Sequence, residues 1–195
     1  WLASWGMFLR TPSDLGFDDT GYILPPLEIV DLLVPSLNHG GEYLFASMNT
    51  GGLRGHLAAR RSSLADRLEA THKLVDSQSG QWAIWCGLNQ EQDGIAALLG
   101  DQAVSVSGRD SDETKEMKLR AFLDGRARVL ISKVLIAGFG LNLQRCSQVV
   151  FLGLSFSWEQ YFQAIRRFWR FGQRNAVHIY IVISEAETQV VAAVR

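Results

Sequence analysis

From Gly80 onward the chain repeats one pattern, and that pattern limits the fold more than any other feature. Five short apolar runs, Trp82 to Cys86, Ala103 to Ser107, Arg128 to Ser132, Gln148 to Leu152 and Val177 to Ile183, alternate with longer amphipathic stretches. Runs of this length suit strands buried on both faces. The intervening stretches suit helices: Asn89 to about Leu99 with Asn89 as N-cap, about 113–124 capped by Ser111 or Asp112 and stopped by Gly125, and a helix capped by Ser157. In the second of these, Met117, Leu119 and Phe122 are expected to face inward. Strands joined by helices imply right-handed crossovers and a parallel sheet, hence an α/β fold. Loops that bind ligands in such sheets gather at the carboxyl ends of the strands. A further strand is expected over 27–34, because Pro25-Pro26 sets an extended approach to a β-branched, leucine-rich run.

Two stretches at that end carry chemistry. The first is an expected arginine helix, Gln163 to Gln173. At about 100° per residue, Gln163, Arg166, Arg167 and Arg170 share one face. Trp158, Tyr161, Phe162, Ile165, Phe168 and Trp169 lie opposite and are expected to dock on the sheet. Gly172 supplies the C-cap. Guanidinium forks held at i and i+3 suit a polyphosphate, which they can pair bidentately. The second stretch is the glycine turn Ala137-Gly138-Phe139-Gly140-Leu141-Asn142, which follows the strand that ends in Ser132-Lys133. Glycines let backbone amides approach a ligand closely, and such turns bind phosphate.

The eleven residues Gln163-Ala164-Ile165-Arg166-Arg167-Phe168-Trp169-Arg170-Phe171-Gly172-Gln173 resemble motif VI of superfamily 2 helicases and translocases, Q-x-x-G-R-x-x-R. Arg166 stands where the general pattern has glycine. The ending W-R-F-G-Q is similar to a Swi/Snf-like branch of phages and mobile elements. Gly138 to Gln144 resembles motif V, G-x-G-L-N-L. The strand and polar loop over about 82–93 resemble motif IV. The resemblance implies a RecA-like three-layer α/β/α fold with a mostly parallel sheet. It implies that Arg167 and Arg170 are catalytic arginine fingers, and that Gln163 and Asn142 join them at ATP. It also implies nucleic-acid contacts by Ser107, Gly108, Ser132, Lys133, Gly138, Gly140 and Gln144. Lys133-Val134 stands where the family often has Ser-Thr, so Lys133 would act there as a point charge.

Length and composition fit one α/β domain: 195 residues, 47% hydrophobic and 20% charged. With a net charge of −1, any nucleic-acid contact must come from a local patch. Two cysteines, Cys86 and Cys146, suggest reduced thiols and no zinc site. The four histidines show no metal-ligand spacing. No run approaches the about 18 apolar residues of a membrane span. The start lacks Met and a basic n-region, so it is read as a cut from a longer chain and not as a signal peptide. Residues 1–26 are turn-rich and are expected to be an inter-lobe connection or the end of a missing first lobe. The domain is placed at 27–195. Trp1, Leu2, Trp5 and Phe8 have helix-like spacing. Gly40-Gly41 is a turn, and Tyr43 to Phe45 a short strand or a helix start. Residues 53–77 read as one long helix whose arginines either face nucleic acid or are simply solvated.

No G-x-x-x-x-G-K-[ST] and no D-E-x-H occur. The expectation is therefore the C-terminal lobe of an ATP-driven motor on DNA, with RNA possible. ATP and Mg²⁺ would be held mainly by an N-terminal RecA-like lobe of the same parent protein. The isolated lobe is expected to be inactive, without a metal site or membrane partner, and cytoplasmic in a bacterial or phage-infected cell. A stand-alone nucleic-acid-binding module and a protein-interaction module of the same fold are the alternatives.

Overall fold

The computed structural model describes residues 9, 11–35, 60–137, 141–153, 157–184 and 187. The expectations for Trp1 to Phe8, for Gly40-Gly41, for Tyr43 to Phe45 and for 53–59 fall outside these residues. Six parallel strands form one sheet: β1 (Leu27–Val34), β2 (Trp82–Cys86), β3 (Ala103–Val106), β4 (Val129–Ser132), β5 (Gln148–Leu152) and β6 (Val177–Ser184). Their order is β1-β6-β5-β2-β4-β3. Every neighbouring pair is parallel. The helices are α1 (Leu64–Ser77), α2 (Asn89–Leu99), α3 (Asp112–Leu123), α4 (Val134–Ala137) and α5 (Trp158–Ile165).

Period-two alternation assigns each strand residue to one of two cores. Trp82, Ile84 and Cys86 pack with Val129, Ile131, Val150 and Leu152 beneath Val75 of α1 and Ile95 and Leu99 of α2. Ala83 and Trp85 face the other way, among Leu130, Val149, Phe151, Phe122 of α3 and Tyr161, Ala164 and Ile165 of α5. Helices therefore cover both faces of the sheet in three layers. Truncating a buried aromatic such as Trp85 to Ala would cost about 3–5 kcal/mol. Both cysteines are buried and unpaired. Burial pushes the Cys146 thiol up to about 12 and raises Cys86 further, so both stay protonated at neutral pH.

The strands fall within a residue of their expected limits. The helix starts are less regular. Leu88, not Asn89, is the N-cap of α2. The Glu91 carboxylate accepts from the Gly87 and Leu88 amides, both at 2.9 Å, and so replaces the Asn side chain. Ser111 caps α3, its Oγ accepting from Thr114 N. Met117 is 61% exposed, contrary to its expected inward face, whereas Phe122 is buried. The expected long helix is broken: 60–62 are helical, a turn falls at Ser63, and α1 begins at Leu64. Pro12–Leu15 forms a single 3-10 turn closed by Gly16 at φ +80°. Among the described residues no helix is long and apolar enough to cross a membrane.

Candidate functional site

Register brings the loops that follow the strands to one rim. Trp85 pairs with Ser132 and Cys86 with Leu152, so Gly87, Lys133 and Gly153 all leave the sheet at the same end. These ends line a cavity of about 220 Å³ bounded by Trp85, Cys86, Gly87, Lys133, Gln160 and Tyr161, among others.

The arginines stand on a turn and not on a helix. Ser157 Oγ accepts from Gln160 N at 3.2 Å and starts α5 as expected, but the helix ends at Ile165 with Arg166 as C-cap. Over 166–173 the chain makes successive turns: Phe168 N and Trp169 N bond Ile165 O, Arg170 N bonds Phe168 O, and Gln173 N bonds Arg170 O. Gly172 closes them at φ +90°, and a Cβ there would lie 3.0 Å from the Gln144 amide. Left-handed backbone and close packing both require glycine at this point.

Phe168 is fully buried and meets Trp85 edge-on at 6.1 Å, which pins the turn from below. Trp158 and Phe162 do not dock on the sheet. They are 53% and 40% exposed and stack on each other at 4.9 Å. Arg166 lies over the rings of Phe162 and Trp169, 5.7 and 5.5 Å from their centroids.

The segments of the two signatures are joined by hydrogen bonds. Leu143 N donates to Arg167 O at 3.2 Å, and Arg167 Nη1 donates to Leu141 O at 3.2 Å. Gln173 is buried, and its Nε2 donates to Cys146 O and Phe168 O, both at 3.2 Å. Its Oε1 accepts from Arg174 N and Asn175 N. Gln173 is thus a structural clamp. Asn142, Gln163 and Arg170 are exposed near this junction, and Arg167 is half-buried. Burial, then the neighbouring Arg170 guanidinium, pulls the Arg167 pKa below its usual value. The group stays charged at neutral pH. Arg166 and Arg170 have no carboxylate partner among the described residues.

The other expected contacts divide. Lys133 is half-buried at the cavity, one turn before the end of α4. Gly108 is exposed and Ser107 half-buried. The Ser107 amide is already taken by Asp110 Oδ2 at 2.8 Å, and its hydroxyl accepts from Arg109 N. Ser132 is fully buried, with Oγ donating to Val106 O at 2.8 Å, so it is not presented to a ligand. Gly138 and Gly140 lie outside the described residues. Gln144 is half-buried over Gly172 and links the glycine-turn segment to the arginine turn.

Sequence reasoning missed a buried ionic cluster beside the cavity. Arg60 and Arg67, expected on a solvated or nucleic-acid face, are 8% and 0% exposed. Arg60 pairs bidentately with Glu91 at 2.7 and 2.8 Å, and Arg67 Nη1 reaches the same carboxylate at 2.9 Å. Glu187 stands 3.8 Å from Arg60 Nε and 3.7 Å from Arg67 Nε. A Cβ on Gly87 or Gly153 would lie 2.6 Å from the Arg60 guanidinium. The pair of glycines directly after two strands was the available signal.

Residues 66–172, more than half of the chain, match the helicase conserved C-terminal domain. The fold is similar to the C-terminal part of the Fun30 ATPase domain (TM-score 0.58, 23% identity, 67% of this chain and 45% of that one). It is also similar to the C-terminal domain of the DEAD-box protein Dbp5 (0.57, 22%, 67% and 77%). A DEAD-box protein from the hyperthermophile Methanococcus jannaschii aligns as well (0.59, 21%, 67% and 36%). The chain thus spans less than half of the Fun30 and M. jannaschii chains. Its sheet and flanking helices have the RecA-like α/β architecture of such lobes. The chain belongs to the helicase conserved C-terminal domain family.

Proposed function

We propose that this chain is the C-terminal motor lobe of an ATP-dependent helicase or translocase acting on nucleic acid. DNA is the expected track, from the Swi/Snf-like, phage-type wording of the two signatures. One observation supports the reading above others: hydrogen bonds join 141–144 to 166–173, and exposed Arg170 lies there near half-buried Arg167. ATP is the substrate and would be held chiefly by an N-terminal lobe, with its Mg²⁺. Arg167 and Arg170 would close on it and place fixed positive charge where charge develops on the transferred phosphoryl group. Gln163 and Asn142 would orient the nucleotide.

Arg167 suits this work because the Leu141 carbonyl already orients its fork, so little rotamer freedom is lost on closure. Lys133, Ser107, Gly108, Gly138, Gly140 and Gln144 would meet the nucleic-acid backbone. Gln144, lying over Gly172, would carry that contact to the arginine turn.

The test is turnover in the full-length polypeptide. Arg167→Ala and Arg170→Ala should each lower kcat by about 10³-fold, while this chain alone shows no ATPase activity. Near-normal turnover in both variants rejects the assignment. Nucleic-acid stimulation compared between duplex DNA and RNA identifies the track.

A further inference from the structure

Two stretches the proposed function leaves unused meet on the structure: the segment before β1 and the aromatic residues of the arginine turn. Trp169 Nε1 donates to Pro25 O at 2.7 Å. The Tyr22 and Phe171 rings lie 5.0 Å apart, centroid to centroid. Gly21 supplies the left-handed turn, φ +85°, that brings the chain beside Phe171. The segment itself is ordered: Tyr22 N bonds Asp19 O at 2.8 Å, Asp19 Oδ1 accepts from Ser13 N at 2.8 Å, and Pro26 O accepts from Val177 N at the start of the sheet pairing.

We infer that Tyr22 and the Pro25 carbonyl form, with Trp169 and Phe171, a latch that positions Arg170; Trp169 and Phe171 are positioning residues. The inference rests on the arginine assignment above and extends it to a device. Arg170 stands between the two latched residues. Arg167 has a separate anchor in Leu141 and Leu143. The two arginines are therefore held by different segments, one by the glycine-turn segment and one by the segment preceding β1. Tyr22 and Phe171 are each more than half exposed, so the contact adds little to the core and can follow movement of whatever precedes it. Trp169 also carries the Arg166 guanidinium, which ties the end of α5 to the same contact.

The test uses the full-length polypeptide and two variants. Trp169→Phe keeps a ring under Arg166 and removes the N–H donor together with part of the indole's packing. Tyr22→Ala removes the exposed partner from the other segment. Each should lower kcat by about tenfold, with KM for ATP and duplex-DNA Kd changed less than about twofold, because only orientation at the reacting group is lost. The loss should vanish in an Arg170→Ala background and persist in an Arg167→Ala background. A general disturbance of folding would instead add to both and shift the thermal midpoint. Unchanged kcat in both latch variants beside a crippled Arg170→Ala overturns the latch alone, as does a further loss in the Arg170→Ala background. Unchanged kcat in Arg170→Ala itself overturns the arginine assignment and takes the latch with it.

Discussion

Two pairs of arginines, Arg60 with Arg67 and Arg167 with Arg170, occupy opposite environments in this lobe. The first pair is buried, and Glu91 between its members accepts five hydrogen bonds, three from the guanidiniums and two from the Gly87 and Leu88 amides. Arg170 of the second pair is exposed with no carboxylate partner among the described residues, and Arg167 leans on a neutral carbonyl. The same side chain is a structural tie beside Glu91 and, at Arg170, an exposed cation. What decides is the carboxylate within reach, since a charge removed from water must be paired and hydrogen-bonded. The buried pair can therefore be probed through stability and the second pair through turnover.

The largest stability effect is expected at Glu91. Glu91→Ala leaves two buried guanidiniums with only the more distant Glu187 carboxylate and should destabilise the lobe by about 3–5 kcal/mol, measured by urea denaturation. Arg170→Ala, which changes only an exposed side chain, should stay within about 0.5 kcal/mol of wild type. Equal losses from the two substitutions would erase the distinction between the pairs.

Gly153 tests the buried side more finely. It has φ +82°, and a Cβ would strike the Arg60 guanidinium. Gly125 has φ +80° with nothing within 4 Å of the added Cβ. Gly125→Ala should cost only the left-handed backbone, about 1–2 kcal/mol. Gly153→Ala should cost that and also displace Arg60 from Glu91. Matching unfolding midpoints for the two variants would mean that Arg60 yields freely and the cluster is not tight.

These contrasts also explain what could be read before the structure. The strands were legible because alternation and β-branched runs fix them locally, and β2 and β5 fall where the apolar runs fall. The turn at Ser63, the early end of α5 and the burial of Arg60 and Arg67 were not legible, because side-chain hydrogen bonds that no periodicity encodes set all three. Arg67 Nε reaches Ser63 Oγ at 3.2 Å, and Arg67 Nη2 reaches Arg60 O across the break. The turns after Ile165 depend on Gln173 bonding Cys146 O, 27 residues earlier. A helical wheel grouped the arginines of the second signature on one face but could not show that the helix stops before them. Trp158 and Phe162 failed for a related reason: apolar character marks a helix face without saying whether a sheet or only a neighbouring ring covers it.

Between the two arginine pairs stands a cation of intermediate kind, Lys118. It pairs with Asp110 at 2.9 Å and donates to Ser105 O at 2.7 Å, with 27% of the Lys118 side chain and 16% of the Asp110 side chain exposed. The Ser107 amide, and after it Lys118, hold the Asp110 carboxyl below its ordinary value against the opposing effect of burial. A depressed carboxyl stabilises the folded state while it is ionised, and that contribution is lost as pH falls through the folded-state pKa. Asp110→Asn should therefore cost less than about 1 kcal/mol at pH 7. The gap between variant and wild type should close as pH is lowered through and below the usual carboxylate range, followed by urea midpoints at a series of pH values. A gap that persists in acid would assign the effect to the shape of the Ser107 turn and not to charge. Lys118 would then resemble Arg170 in owing little to a carboxylate.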